Sequence, residues 1–206
     1  MEELDPIRET EQASFCVEIM KRLNMQREQG YLCDIILVAK DGKEFKAHRN
    51  VLSATSPFFV KLLQSEMKEK KEGVVRFEDI SATILEDVLE FVYTGSVEIH
   101  DEQNAKDLIV AADYLLLECL KTFSGRFLEQ QLTSSNCIST FYFAEKYKCA
   151  ELVPKSRKFV HDNFASVAEL DEFLNLEGHM VESWISSDDI CVAAEEDVFQ
   201  NHREVD

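Results

Sequence analysis

The chain has 206 residues, 45% of them hydrophobic, which suffices for one domain of common size and a second small one, each with a real core and no need of disulfides or metals. A formal net charge of −18 sets up a field that repels phosphate backbones and anionic lipid headgroups and favours basic partners, which argues against nucleic acid as a direct ligand. The six cysteines (Cys16, Cys33, Cys119, Cys137, Cys149, Cys191) show no C-x-x-C spacing, no apolar run approaches the roughly 18 residues that cross a bilayer, and acidic Met1-Glu2-Glu3 lacks the basic start of a signal peptide, so reduced thiols and a cytoplasmic location are expected, with the nucleus also open to the chain.

From Phe15 to Met25 the apolar residues Phe15, Cys16, Ile19, Met20 and Leu23 recur on one face of a helix, with charges on the other. Cys33 to Val38 is an apolar run short enough for a covered strand. Asp41-Gly42 tolerates the positive φ angles of a tight hairpin, which returns through Glu44-Phe45. An Ala47-His48-Arg49 turn and two short apolar helices follow. Ser56-Pro57 supplies an N-cap and a proline at the first helical position, with Phe59, Leu62 and Leu63 at helical spacing behind it and an end near Met67. Val74 to Phe77 reads as another short strand. Ser81 caps a helix carrying Ile84, Leu85, Val88, Leu89 and Val92, and Gly95 stops it. Asn104 to Leu117 is a nearly all-apolar helix, expected at the centre.

After about Thr133 the strand-like runs stop and only helical periodicity remains, which marks a change of domain. Helices are predicted over Asn136–Lys148, Leu152–Phe164 and Glu169–Leu176, stacked as a small all-α array. Residues 200–206 are polar and offer no apolar face.

The ordered set Cys33-Asp34-Ile35-Ile36-Leu37-Val38, Asp41-Gly42, Phe45-Lys46-Ala47-His48-Arg49, Val51 to Phe59, Met67-Lys68-Glu69 and Phe91-Val92-Tyr93-Thr94-Gly95 resembles the BTB (POZ) domain. Ser134 to Ile138, Phe143-Ala144-Glu145, Asn163-Phe164, Glu172 to Leu176, Ser187 to Val192 and Glu195 to Phe199 resemble the start of the BACK region of Kelch-like proteins. The resemblance implies an α+β BTB/POZ fold, a small mixed sheet flanked by helices, followed by an all-α, truncated BACK segment. The expected organisation is an N-terminal tail over 1–14, a BTB/POZ domain over 15–133, the N-terminal part of BACK over 134–199 and a polar tail over 200–206. Kelch-like proteins continue with further BACK helices and a propeller, and no Kelch repeat occurs in these residues.

Motifs for catalysis are missing from the pattern. There is no G-x-S-x-G, no H-E-x-x-H and no glycine-rich phosphate loop, and the five histidines have no ligand spacing with cysteines or acids. No cofactor or metal is expected. Asp34 sits in an apolar run, where an unpaired carboxylate is costly, and Arg49 lies just beyond the returning hairpin arm, so the two are expected to meet. One reading is an internal ion pair that holds the fold. The resemblance implies instead a charged pocket near a dimer interface. For the stripe of Phe15, Ile19, Met20 and Leu23, the plainer reading folds it onto its own sheet, and the resemblance implies packing against a second copy.

Met67-Lys68-Glu69 follows the helix bearing Phe59, Leu62 and Leu63. By composition alone, the alternating charges from Glu66 to Glu72 read as a solvated segment. By resemblance, they match the hydrophobic-x-Glu motif with which BTB adaptors engage the N-terminal domain of cullin-3. Cys149 follows Lys146-Tyr147-Lys148, and neighbouring cations can activate a thiol, but a cysteine near the end of an apolar helix more often packs. Trp184, the one tryptophan, is expected to anchor the last helices.

The resulting expectation is a non-catalytic homodimeric adaptor that binds cullin-3 and recruits substrates to a cullin-RING ubiquitin ligase, the substrate-binding Kelch module being absent from these residues. A BTB-type transcriptional regulator recruiting co-repressor along the dimer groove is the alternative. It predicts Cys/His finger spacing, which is not present. A tetrameric channel-assembly domain would need a hydrophobic membrane segment, and an enzyme would need a cleft of perturbed titrating groups.

Overall fold

The structure, a computed structural model, describes residues 6–64 and 73–186, with side chains from Gln12 onward. Met67, Lys68 and Glu69, and the run from Ser187 to Phe199, lie outside the described residues. Contacts divide the chain into two units, residues 1–121 and 122–206.

The first unit opens with helix α1 (Pro6–Gln29). It starts well before the apolar stripe because Pro6 suits the first helical position and the residues after it, mostly polar and including the helix formers Arg8, Glu9, Glu11, Gln12 and Ala13, carry no apolar period to read. Strands β1 (Ile35–Val38) and β2 (Glu44–Ala47) form the hairpin. Its turn is held by Gly42 N–H donating to the Ala39 carbonyl at 2.9 Å, with Gly42 at φ +83. β1 pairs antiparallel with β2 and parallel with β3 (Val74–Arg76), giving the order β2-β1-β3 in a three-stranded mixed sheet. Three of the four β1 side chains are buried, as befits a strand covered on both faces, whereas β2 alternates, with Phe45 and Ala47 inward and Glu44 and Lys46 outward.

Helices α2 (Arg49–Thr55) and α3 (Pro57–Gln64) lie between the hairpin and β3. Helix α4 (Ala82–Thr94) begins where the Ser81 hydroxyl accepts the Ile84 N–H, and it ends at Gly95, whose φ of +75 lets its N–H return to the Phe91 carbonyl. Helix α5 (Glu102–Tyr114) buries Ala105, Leu108, Ile109, Ala111 and Ala112, so it is central as its composition predicts. It stops at Tyr114 rather than Leu117. Leu116 takes φ +54, and helix α6 (Glu118–Gln130), not anticipated as a separate element, starts beyond it. The division between the units falls within α6.

The second unit is helical throughout its described residues: α7 (Cys137–Lys146), α8 (Leu152–Asp162), α9 (Phe164–Ala168), α10 (Asp171–Leu174) and α11 (Gly178–Ile185). Pro154 is tolerated because it falls in the first turn of α8, where no intrahelical donor is lost. Cys137, Ile138, Phe141, Val160, Phe164, Val167, Phe173 and Trp184 make its core.

Candidate interaction surfaces

Helix α1 packs on α4 and β2 through its C-terminal part. Towards its start the side chains of residues 12–19 are all exposed, Phe15 at 66% and Ile19 at 42%, while Met20 and Leu23 are half-buried. An exposed phenylalanine and isoleucine one helical turn apart form an apolar face with nothing in the described residues to cover it.

At the start of β1, Asp34 and Arg49 do come together, but not as a buried pair. β1 begins at Ile35, and Asp34 is exposed just outside it, which corrects the expectation that its carboxylate lies within the strand. Its Oδ1 accepts the Arg49 backbone N–H at 2.8 Å, while Arg49 Nε donates to the Asp34 carbonyl oxygen at 3.0 Å. His48 occupies the N-cap position of α2 without capping it, and Asp34 satisfies a first-turn N–H in its place. The Arg49 guanidinium also lies against Gly73, where an added Cβ would approach Nη2 to 3.3 Å, and the φ of +68 at this residue entering β3 is one that glycine adopts without strain.

Beside this capping arrangement, His48 and Tyr93 are both buried, His48 at 5% and Tyr93 at 0% exposed. The Tyr93 hydroxyl oxygen accepts the His48 backbone N–H at 2.9 Å and lies 2.9 Å from His48 Nδ1. His48 Nε2 is 3.0 Å from the Tyr31 carbonyl. Because a carbonyl can only accept, Nε2 carries the ring proton, and Tyr93 donates its own proton to Nδ1. Sequence reading met His48 and Tyr93 only inside two separate motifs of the resemblance and did not pair them, since the two stand 45 positions apart. Burial pushes the Cys33 thiol up despite nearby Lys46 and Arg27, which keeps it protonated beside the histidine.

On α3, Phe59 is 1% exposed and faces the core, so it supports the helix from behind, while Leu62 and Leu63 are half-buried. The neighbouring Phe58, not singled out from sequence, is the half-exposed aromatic. Its ring centroid lies 5.2 Å from Tyr114 and 6.4 Å from Phe77, and Tyr114 itself is 58% exposed. Ser56 ties α3 to the end of α5 by donating its hydroxyl to the Leu115 carbonyl. A groove of about 600 Å³ adjoins this cluster, lined by Phe77, Ile80, Ile84, Val110, Ala111 and Tyr114 together with Lys40, Arg76, Glu78, Asp79, Ser81 and Asp107. α3 ends at Gln64, so the Met67-Lys68-Glu69 segment begins three residues beyond its described end.

A family model described as the BTB/POZ domain matches residues 23–132, more than half of the chain. The chain belongs to the BTB/POZ family. A second model, BACK, described as BTB And C-terminal Kelch, matches residues 137–202, which makes this a BTB-BACK chain of the Kelch-like kind. It is similar to human Kelch-like protein 2, with 37% identity over 180 residues, 87% of this chain and 30% of the relative. It is 34% identical to human Kelch-like protein 11 over 196 residues, 91% of this chain and 28% of that protein. The BTB-BACK chain thus spans about 30% of the length of these relatives. Among solved structures, the BTB domain of zebrafish PATZ1 aligns with a TM-score of 0.50 and 26% identity, covering 57% of this chain and 94% of that one.

In the BACK-matching unit, Cys149 is 5% exposed, which removes its thiol from ready contact with solvent. Trp184 is 2% exposed in the core. Its Nε1 donates to the Tyr142 hydroxyl at 3.0 Å.

Burial raises the Tyr93 hydroxyl from the usual 10.0 up to about 12. The folded chain therefore keeps this proton at pH values where the unfolded chain has lost it. The associated stability is full below pH 10 and is lost as pH climbs towards 12, at most about 3 kcal/mol. Urea midpoints measured between pH 9 and 11.5 should fall, and Tyr93→Phe should fall less steeply. Equal slopes for the two proteins would remove Tyr93 as the source.

Proposed function

We propose that this BTB-BACK chain is a non-catalytic homodimeric adaptor that binds the N-terminal domain of cullin-3 and recruits substrates to a cullin-RING ubiquitin ligase. The observation that carries the reading is the α3 surface. Half-exposed Phe58 is backed by buried Phe59 and flanked by exposed Tyr114, immediately before a segment whose Met67-Lys68-Glu69 matches the hydrophobic-x-Glu motif of BTB adaptors. Aromatic residues with one face on the core and the other in water are the side chains that anchor protein interfaces. The uncovered Phe15 and Ile19 face on α1 supports self-association, in which the same patch on two copies meets across a two-fold axis.

Under this reading the chain supplies geometry and performs no chemistry. Met67 fills a contact on cullin-3, Glu69 fixes it by hydrogen bonds, and Leu62 and Leu63 extend the apolar area. Substrates are held by a module outside these residues. Its action is placed in the cytoplasm, with the nucleus also accessible to it.

Calorimetric titration of the purified chain with the cullin-3 N-terminal domain tests the assignment. Met67→Asp with Glu69→Ala should weaken binding by about a hundredfold or more, since a carboxylate forced into an apolar contact and a lost charge-assisted hydrogen bond together cost about 3 kcal/mol. An unchanged melting temperature would place the loss at the interface. Equal affinities for the two proteins would eliminate the site.

A further inference from the structure

The exposed face of α1 lies far from the contacts that hold the helix. Phe15 precedes Gln26 by eleven residues, about 16 Å along a helix axis, so a tilt of about 20° at the base displaces Phe15 by about 6 Å. That exceeds what two mating faces tolerate. Something at the base of α1 must therefore set its direction.

Beyond the packing of its C-terminal part on α4 and β2, the base is held by one small polar network. Arg27, near the end of α1, places its guanidinium 5.3 Å from the centroid of the Tyr93 ring on α4. After α1 the chain turns through Gly30 at φ +69 and Leu32 at φ +54, with the Tyr31 N–H donating to the Gln26 carbonyl at 2.8 Å. The Tyr31 carbonyl, fixed by that turn, is bound by His48 Nε2 at 3.0 Å, and the other face of His48 is locked by the Tyr93 hydroxyl. His48 thus holds the end of α1 with one ring nitrogen and the body of the fold with the other. Every polar atom of the imidazole is engaged, and the ring has one orientation in which this is true.

We propose that His48 and Tyr93 are positioning residues for self-association: they clamp the turn that ends α1 and so fix the direction in which Phe15 and Ile19 are offered to a second copy. This rests on the homodimer reading. The pair touches no partner itself, being buried, and acts through the helix it orients.

Sedimentation equilibrium of the full chain, with a melting temperature for each protein, tests the clamp. Tyr93→Phe keeps the ring under Arg27 and removes only the hydroxyl. His48→Asn keeps an acceptor where Nδ1 stands and loses the reach to Tyr31, while His48→Gln keeps an N–H able to reach the Tyr31 carbonyl. We expect the dimer dissociation constant to rise about tenfold or more for Tyr93→Phe and for His48→Asn, and His48→Gln to return to within about threefold of the unaltered chain. Melting temperatures of the two His48 variants should be lowered alike. A role confined to fold stability makes the dissociation constant track the melting temperature, with Gln no better than Asn, and that result overturns the clamp. Should Tyr93→Phe fail to fold, the two His48 variants carry the test alone. An unaltered chain that sediments as a monomer overturns the homodimer reading and the clamp with it. A dimeric chain indifferent to all three variants overturns the clamp and leaves the dimer standing.

Discussion

Phe15→Asp combined with Ile19→Asp should leave the chain monomeric at concentrations where the unaltered protein is paired. Both side chains are exposed in the single chain, so the substitutions remove nothing from its own core and the melting temperature of a dilute sample should hold. In a two-fold interface the same positions would place four carboxylates, two from each copy, in apolar surroundings. Burying even one unpaired charge costs several kcal/mol, and the net charge of −18 already opposes bringing two copies together. A loss of about a thousandfold or more in association constant is expected, about 4 kcal/mol, read by analytical ultracentrifugation. A double variant that still sediments as a dimer would move the interface away from α1.

The second large effect lies in the BACK-matching unit. Trp184→Ala should destabilise it by about 3–5 kcal/mol, a large share of the 5–15 kcal/mol that holds an ordinary domain. The indole meets Phe141 edge to face at 4.7 Å and His161 at 5.7 Å, with the Arg157 guanidinium 4.6 Å from the Phe141 ring and 5.5 Å from its own. Removing it opens a cavity at the junction of α7, α8 and α11 and deprives the Tyr142 hydroxyl of the donor it accepts from. Trp184→Phe keeps most of the apolar area and loses the donor, so it should cost about 1–3 kcal/mol. Urea denaturation followed by circular dichroism at 222 nm separates the two. An alanine variant as stable as the phenylalanine one would show that the indole is not a keystone of this core.

Local chemistry made most of the BTB framework readable. Asp41-Gly42 announces the hairpin, and Ser81 and Gly95 bracket α4, because a cap and a left-handed stop act within one turn of the chain and need no knowledge of distant residues. The start of α1 was hidden for the opposite reason: a polar helix stretch has no apolar period. The candidate surface was legible only as far as helical spacing goes. That spacing groups Phe59 with Leu63, but which of two adjacent phenylalanines turns inward depends on where the rest of the fold lies, and the core takes Phe59 while Phe58 meets Tyr114. Asp34 illustrates the limit of reading burial from a run of apolar neighbours. Its main-chain position falls one residue short of β1, where a carboxylate reaches both water and the first N–H of α2.

The pairing order of the sheet has a kinetic consequence. β1 and β2 close on each other through a short turn, Val38 meeting Glu44, whereas β3 joins the far side of β1 with Ile36 opposite Val74, after α2 and α3 have intervened. The entropy of closing a chain segment grows with its length, and parallel pairs are slow to find one another. The hairpin is therefore the natural seed during synthesis, complete as soon as Ala47 emerges, and docking of β3 is the later and slower event that commits the polypeptide to its final topology.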